Sequence, residues 1–226
     1  MKFLVALAVA AGVLLLVVGL FSYLVLPGLI ESRLATSLQG RCKLEEKPVV
    51  EVSSDFPPRL LLGRIDRIQL QIDRLKREGL LLRDVHIDLR DVSMLSLLRG
   101  DLEREAQEGS LRAEVPKDSI NEYLRENTPG FTGEIDVLPQ GLVYRSSDAL
   151  FGLPVNVSLG LRVAGPHTIE VIPEEATVGG LSLPSFFPRS LASGGRTLDL
   201  GELPFGTGLT SVDPSKEDAL VVWAEN

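Results

Sequence analysis

Ile68, Leu70 and Ile72 alternate with Gln69, Gln71 and Asp73, and a little further on Val85, Ile87 and Leu89 alternate with His86, Asp88 and Arg90. Successive side chains of a strand point to opposite faces, so each run has one apolar and one wetted face. Consecutive runs of this kind pair antiparallel, which predicts a hairpin that is apolar on one side only. Burial of such a side chain is worth roughly 1.5–3 kcal/mol. The apolar face must therefore be covered, either by protein or by lipid.

A second feature supplies a membrane. Residues Phe3–Leu26 form a 24-residue stretch without a charge. At about 1.5 Å per residue it spans roughly 36 Å, enough for a hydrocarbon core of about 30 Å. The competing reading is a cleaved signal peptide, whose apolar core normally runs about 7–15 residues to a small-residue cleavage site. Here the run ends in Tyr23-Leu24-Val25-Leu26-Pro27. The expectation is an uncleaved anchor over residues 1–27, with a cleaved signal as the alternative. Cys42 lies well past the run and follows Arg41, so it is not a lipoprotein cysteine. Lys2 precedes the segment and Arg33, Arg41 and Lys43 follow it. Charge alone would place the following domain in the cytoplasm, although that rule weakens for long domains.

Residues 28–226 suffice for a single domain with a real core. The chain carries 23 basic against 31 acidic residues, a formal charge of -8, which argues against nucleic acid as a partner. Aromatic residues make up 5%, too few for stacking platforms. The single cysteine excludes an internal disulfide and a cysteine-based metal cluster.

Along the chain, Pro27 to Arg41 predicts a juxtamembrane helix, with Leu29, Ile30, Leu34, Ala35 and Leu38 at helical spacing. Val49–Ser53 is a strand candidate, and Phe56-Pro57-Pro58 interrupts regular structure. The charged stretch from Arg74 to Asp84 predicts an exposed turn between the twin strands, and Ser93–Leu102 a short helix or loop. Leu111, Ala113 and Val115 form a strand closed by Pro116, after which Asp118 or Ser119 caps a helix to about Asn127. Strands then follow in quick succession. The longest alternating run is Val155, Val157, Leu159, Leu161 and Val163, turned back at Pro166-His167. Leu183–Ser193 predicts a loop or broken helix, and the end a hairpin turning at Asp213-Pro214-Ser215. The fold class expected is α+β: mostly one antiparallel, twisted or curved sheet with two or three helices after the membrane helix. No internal repeat stands out beyond the shared alternation.

Catalytic signals are thin. His86 and His167 are the only histidines, and the chain has neither a G-x-S-x-G elbow nor a phosphate-binding G-x-x-x-x-G-K-[ST] loop. Gly206-Thr207-Gly208 opens a strand rather than a helix, and the glycosylation triplet Asn156-Val157-Ser158 lies within a strand. Asp84, Asp88 and Asp91 read as a solvated face balanced by Arg83 and Arg90. No catalytic residue, metal ligand or cofactor is expected. Lipid contact has more support. Phe186 and Phe187 lie between prolines, where they either touch a membrane or plug the sheet end. Arg59, Arg64 and Arg67 flank Leu60–Gly63, where guanidinium groups either hold a lipid phosphate or are ordinary surface arginines.

The segment Phe56-Pro57-Pro58-Arg59-Leu60-Leu61-Leu62-Gly63-Arg64-Ile65, with the paired strands to Val92, resembles the LmeA-like phospholipid-binding family of actinobacterial cell envelopes. Gly79-Leu80-Leu81-Leu82-Arg83-Asp84-Val85, the stretch Leu203–Val212, Ala219-Leu220-Val221-Val222 and the N-terminal membrane segment fit the same resemblance. It implies an extracytoplasmic, membrane-associated protein that binds phospholipid and assists lipid or lipoglycan maturation, without established catalytic residues. A curved sheet wrapped on a helix is also similar, by analogy alone, to tubular lipid-binding folds. The expectation is thus a non-enzymatic phospholipid-binding protein, single-pass in the cytoplasmic membrane, with its C-terminal domain outside. Ile68, Leu70, Ile72, Val85, Ile87 and Leu89 would wall the lipid groove, with Phe186, Phe187 and Phe205 at its rim. Two rivals stand beside it: an envelope scaffold acting through protein partners, its sheet filled by its own helices, and an envelope hydrolase.

Overall fold

The apolar alternation persists through the charged stretch at 74–78, because Leu75 and Leu80 keep the inward positions. Both twin strands are therefore longer than expected. The computed structural model describes residues 12–226 apart from 15, 22, 43, 45, 56–57, 78, 94–107, 130, 151, 184–195, 204–205 and 217. The segments expected at Ser93–Leu102 and Leu183–Ser193 lie largely outside the described residues.

An apolar helical span over Gly12–Gly40 overlaps α1 (Leu26–Cys42). Then come β1 (Val49–Ser53), the one-turn helix α2 (Pro58–Leu61), β2 (Arg64–Arg77), β3 (Leu80–Ser93) and β4 (Glu108–Pro116). After α3 (Lys117–Asn127) the chain is strand and turn: β5 (Glu134–Leu138), β6 (Gly141–Leu150), β7 (Leu153–Gly165), β8 (Thr168–Val178), β9 (Leu181–Ser182), β10 (Arg196–Asp199), β11 (Gly208–Lys216) and β12 (Ala219–Glu225). The strands form two antiparallel sheets rather than one. The first has the order β1-β2-β3-β4-β12-β11, and the second β10-β8-β7-β6-β5 with β9 on β8. Alternation marks a strand but not its partner, and α3 takes the chain from one sheet to the other.

β2 ends at Arg77 and β3 starts at Leu80, so the expected turn between the twin strands shrinks, and Gly79 supplies the positive φ of 87° that a tight hairpin requires. The strands also carry a pattern hidden from simple alternation. In β3 the buried positions step by three from Leu82 to Val85 and again from Leu89 to Val92, and Asp84 and Asp91 in those steps take φ of 48° and 50°. The sequence there repeats every seven residues, as Leu82-Arg83-Asp84-Val85 and Leu89-Arg90-Asp91-Val92. In β2 the matching steps fall within Ile65-Asp66-Arg67-Ile68 and Ile72-Asp73-Arg74-Leu75. Each step places two residues on the outer face, and in β3 the second of them, an Asp, takes the left-handed backbone of a bulge, which Asp tolerates better than most side chains. Asp84 and Asp91 thus sit at bulges rather than in regular strand alternation.

The chain divides into two compact units, Met1–Gln71 with Ile87–Gly109 and Ile72–His86 with Ser110–Asn226. In the first, Ile30, Leu34, Ala35 and Leu38 form the buried stripe of α1, which packs on β1. Glu31 ties the two together by accepting a hydrogen bond from the Val52 amide at 3.0 Å. In β1, Val50 and Val52 point inward, opposite Leu70 and Ile68 of β2.

In the second unit, Pro116 rather than Asp118 or Ser119 is the N-cap of α3, with no side-chain cap. Ser119 instead accepts a hydrogen bond from the Leu81 amide at 2.6 Å, and the Lys117 amide donates to the Asp218 carbonyl. Asn121 acts as a surrogate strand partner: its Oδ1 accepts from the Ile135 amide at 2.7 Å and its Nδ2 donates to the Ile135 carbonyl at 2.8 Å, so α3 fixes β5. β11 ends at Lys216 and β12 starts at Ala219, so the last hairpin turns beside Asp218, whose φ is 61°, and not at Asp213-Pro214-Ser215. Pro214 falls in β11 at a register shift on the edge of the sheet, where its missing amide donor is tolerated.

Candidate lipid-binding site

The six apolar side chains of the twin strands are sealed. Ile68, Leu70, Ile87 and Leu89 of the first unit and Ile72 and Val85 of the second are all between 0 and 6% exposed. Protein atoms cover them, as they would cover any core position. Phe186, Phe187 and Phe205 lie outside the described residues.

The three arginines are all held by aspartates. Arg67 Nε donates to both oxygens of Asp88 at 2.9 and 3.0 Å, and that hydrogen-bonded carboxylate raises the guanidinium pKa. Arg64 donates to both oxygens of Asp91 at 2.9 and 2.8 Å. Arg59 meets Asp66 at 3.3 Å. Asp66 is the hub of a small clasp, accepting also from the Ser54 hydroxyl at 2.6 Å and the Asp55 amide at 3.0 Å. The Ser54 hydrogen bond leads the causes that hold its carboxyl below the ordinary 3.8. Of the charges expected to balance within β3, Asp88 and Asp91 are held by arginines of β2, and Arg90 pairs with Glu108.

A more open apolar surface lies on the second sheet. Cross-strand registry sets Val157 opposite Ala176, Leu159 opposite Pro173, Leu161 opposite Val171 and Val163 opposite Ile169. On β6, Leu142 and Tyr144 face Leu159 and Val157. Leu142, Leu159, Ile169 and Ala176 are buried, but Tyr144, Val157, Leu161, Val163 and Val171 are only half-buried. The opposite face carries Asp136, Arg145, Asn156, Arg162 and Glu170, with Arg162 Nε donating to Glu170 at 3.0 Å. Tyr144 borders the apolar face and packs against Phe131, ring centroids 5.6 Å apart. Its ring and the Arg145 carbonyl occupy the space a side chain at Gly133 would need. These half-buried positions belong to the longest alternating run in the sequence, and that length was the signal that could have singled them out.

Catalytic geometry is not evident at either histidine. His86 Nε2 lies 2.8 Å from Asp84 Oδ1 on the exposed face, and Asp84 also meets Arg112. His167 sits in the β7–β8 turn, its Nδ1 without a hydrogen-bond partner. Among the described residues no group of three or more His, Cys, Asp or Glu side chains is arranged to hold a metal.

At the N-terminus, Val13, Leu14, Leu16, Leu20, Tyr23 and Leu24 stand exposed along a helix long and apolar enough to cross a membrane or to serve as a signal sequence. No curated protein and no solved structure matches the chain. The model of the LmeA-like phospholipid-binding family matches residues 22–222, most of the chain, which therefore belongs to that family.

Proposed function

We propose that this protein is a membrane-tethered, non-enzymatic carrier that takes phospholipid acyl chains on an apolar sheet face and assists lipid or lipoglycan maturation or transfer in the cell envelope. The observation that carries the reading is the family match over residues 22–222. The N-terminal helix serves as an uncleaved single-pass anchor, with residues 28–226 outside the cytoplasmic membrane. Mechanism reduces to desolvation: each methylene moved from water to an apolar surface contributes about 0.8 kcal/mol, so a partly withdrawn acyl chain is held without covalent chemistry. The half-buried Val157, Leu161, Val163 and Val171 are ready to receive such a chain. The wall formed by Ile68, Leu70, Ile72, Val85, Ile87 and Leu89 admits one only if the side chains now covering it move aside. Arg59, Arg64 and Arg67 would reach a headgroup phosphate by exchanging an aspartate for it.

The test is lipid capture by the full-length protein, delipidated in mild detergent and then incubated with phospholipid vesicles containing a radiolabelled tracer. Stoichiometric label on the re-isolated protein is expected. The sealed β2–β3 face favours a second reading, an envelope scaffold filled by its own side chains; protein that takes up no label would support that reading and end the carrier hypothesis.

A further inference from the structure

We infer that the turn at Leu62 is a second membrane contact, a short apolar tooth that dips into the phospholipid bilayer holding the N-terminal helix. This rests on the reading of that helix as a membrane span.

The placement follows from the first unit alone. Hydrogen bonds from the Val25 amide to the Phe21 carbonyl and from the Leu29 amide to the Val25 carbonyl join the apolar segment to α1. Tyr23, exposed near the end of the uncharged stretch, suits the headgroup level, where aromatic residues with a polar tip collect. Glu31 is eight residues further on, a rise of about 12 Å. There it holds the Val52 amide, so the C-terminal end of β1 lies beside the membrane-proximal end of α1. Ser53 pairs with Arg67, Arg67 with Asp88 and Arg64 with Asp91. The start of β2 and the end of β3 therefore share that end of the unit. The connection from β1 to β2, which carries α2 and Leu62, is at the bilayer side.

The local backbone presents Leu62 outward. Leu60 is 2% exposed and anchors the turn, whereas Leu62 is 80% exposed. Hydrogen bonds from the Leu62 amide to the Arg59 carbonyl at 2.9 Å and from the Gly63 amide to the Leu60 carbonyl at 3.1 Å fix the turn, and Gly63 closes it at φ of 77°. On the same end of α1, Leu29 is 53% exposed. The charges beside the tooth are locally compensated, Arg59 by Asp66 and Arg64 by Asp91. The contact is thus apolar insertion rather than attraction to anionic lipid, and it should persist at high salt.

A fluorescent probe on single cysteines reads this directly. In full-length protein carrying Cys42→Ser, the substitutions Leu16→Cys, Leu62→Cys and Val49→Cys are labelled with an environment-sensitive dye. Each is reconstituted in phosphatidylcholine vesicles with and without doxyl-labelled lipid. Quenching at position 62 should be several-fold stronger than at position 49, an exposed site of the same unit at the far end of β1, and unchanged in 1 M salt. If position 16 is quenched but position 62 is not, the tooth is refuted and the anchor stands. If position 16 is not quenched, the anchor reading fails and the inference with it. Equal quenching at 62 and 49 also overturns it, because the turn would then be no specific contact.

Discussion

The β2–β3 and β7–β8 hairpins are written in the same alternating code, yet the first is closed on its apolar side and the second stands half open. In β2–β3 the inward positions are Ile, Leu and Val at 0 to 6% exposure, each position already occupied by contact with protein. In β7–β8 the same residue types leave Val157, Leu161, Val163 and Val171 partly in water. Alternation therefore reports that a face is apolar and is silent on what covers it. On the proposed reading, lipid goes first to the face with surface left to give, while the face with none serves stability.

Charge insertion gives the largest contrast. Ile87→Asp would bury an unpaired carboxylate and is expected to prevent folding, whereas Val157→Asp should leave the far-UV circular dichroism intact and abolish capture of labelled phospholipid. A folded Ile87→Asp protein would erase the distinction between the two hairpins. Truncation should show a smaller difference in chemical denaturation: Leu89→Ala is expected to cost about 2–5 kcal/mol, against about 1 kcal/mol for Leu161→Ala, whose side chain is only half withdrawn from water.

The bulges sharpen the comparison further. Asp91 holds φ of 50°, so the β-branched replacement Asp91→Val should lose about 1–2 kcal/mol in denaturation, while Asp91→Gly stays near the parent, the lost Arg64 contact being exposed. The smallest effect concerns acid. Asp66 has a folded pKa below its ordinary 3.8, so the stability it contributes is present above that value and is lost as pH falls through the lower folded pKa. Ser54→Ala removes the leading cause of that shift. The variant should be less stable than the parent at pH 6, and the gap should narrow below pH 3.8.

Much of this fold was readable. Val49–Ser53, the helix ending at Asn127 and the turn at Pro166-His167 fall where periodicity, Pro and Gly put them. The misreadings share a cause, the weight given to charge and proline as punctuation. Arg74, Lys76 and Arg77 are the wetted positions of a strand whose inward residue is Leu75, and Pro214 is absorbed by a bulge at a sheet edge. Ser119 was read as a cap because hydroxyls cap helices, but its nearest orphan amide belongs to Leu81, distant in sequence. The candidate site was less legible. Apolar identity at Ile68 or Val157 is visible in one dimension, but the difference between covered and uncovered is made by residues far along the chain.

The seven-residue repeat in β2 and β3 makes the hairpin a ruler with coarse graduations. One repeat contributes roughly six ladder steps, about 20 Å of arm. Adding or removing a whole repeat on both strands preserves which side chains point inward, whereas a change of one residue turns every following side chain over. Homologous arms should therefore differ in length by sevens, and a chimera built with a complete extra repeat on each strand should fold where one with three extra residues does not.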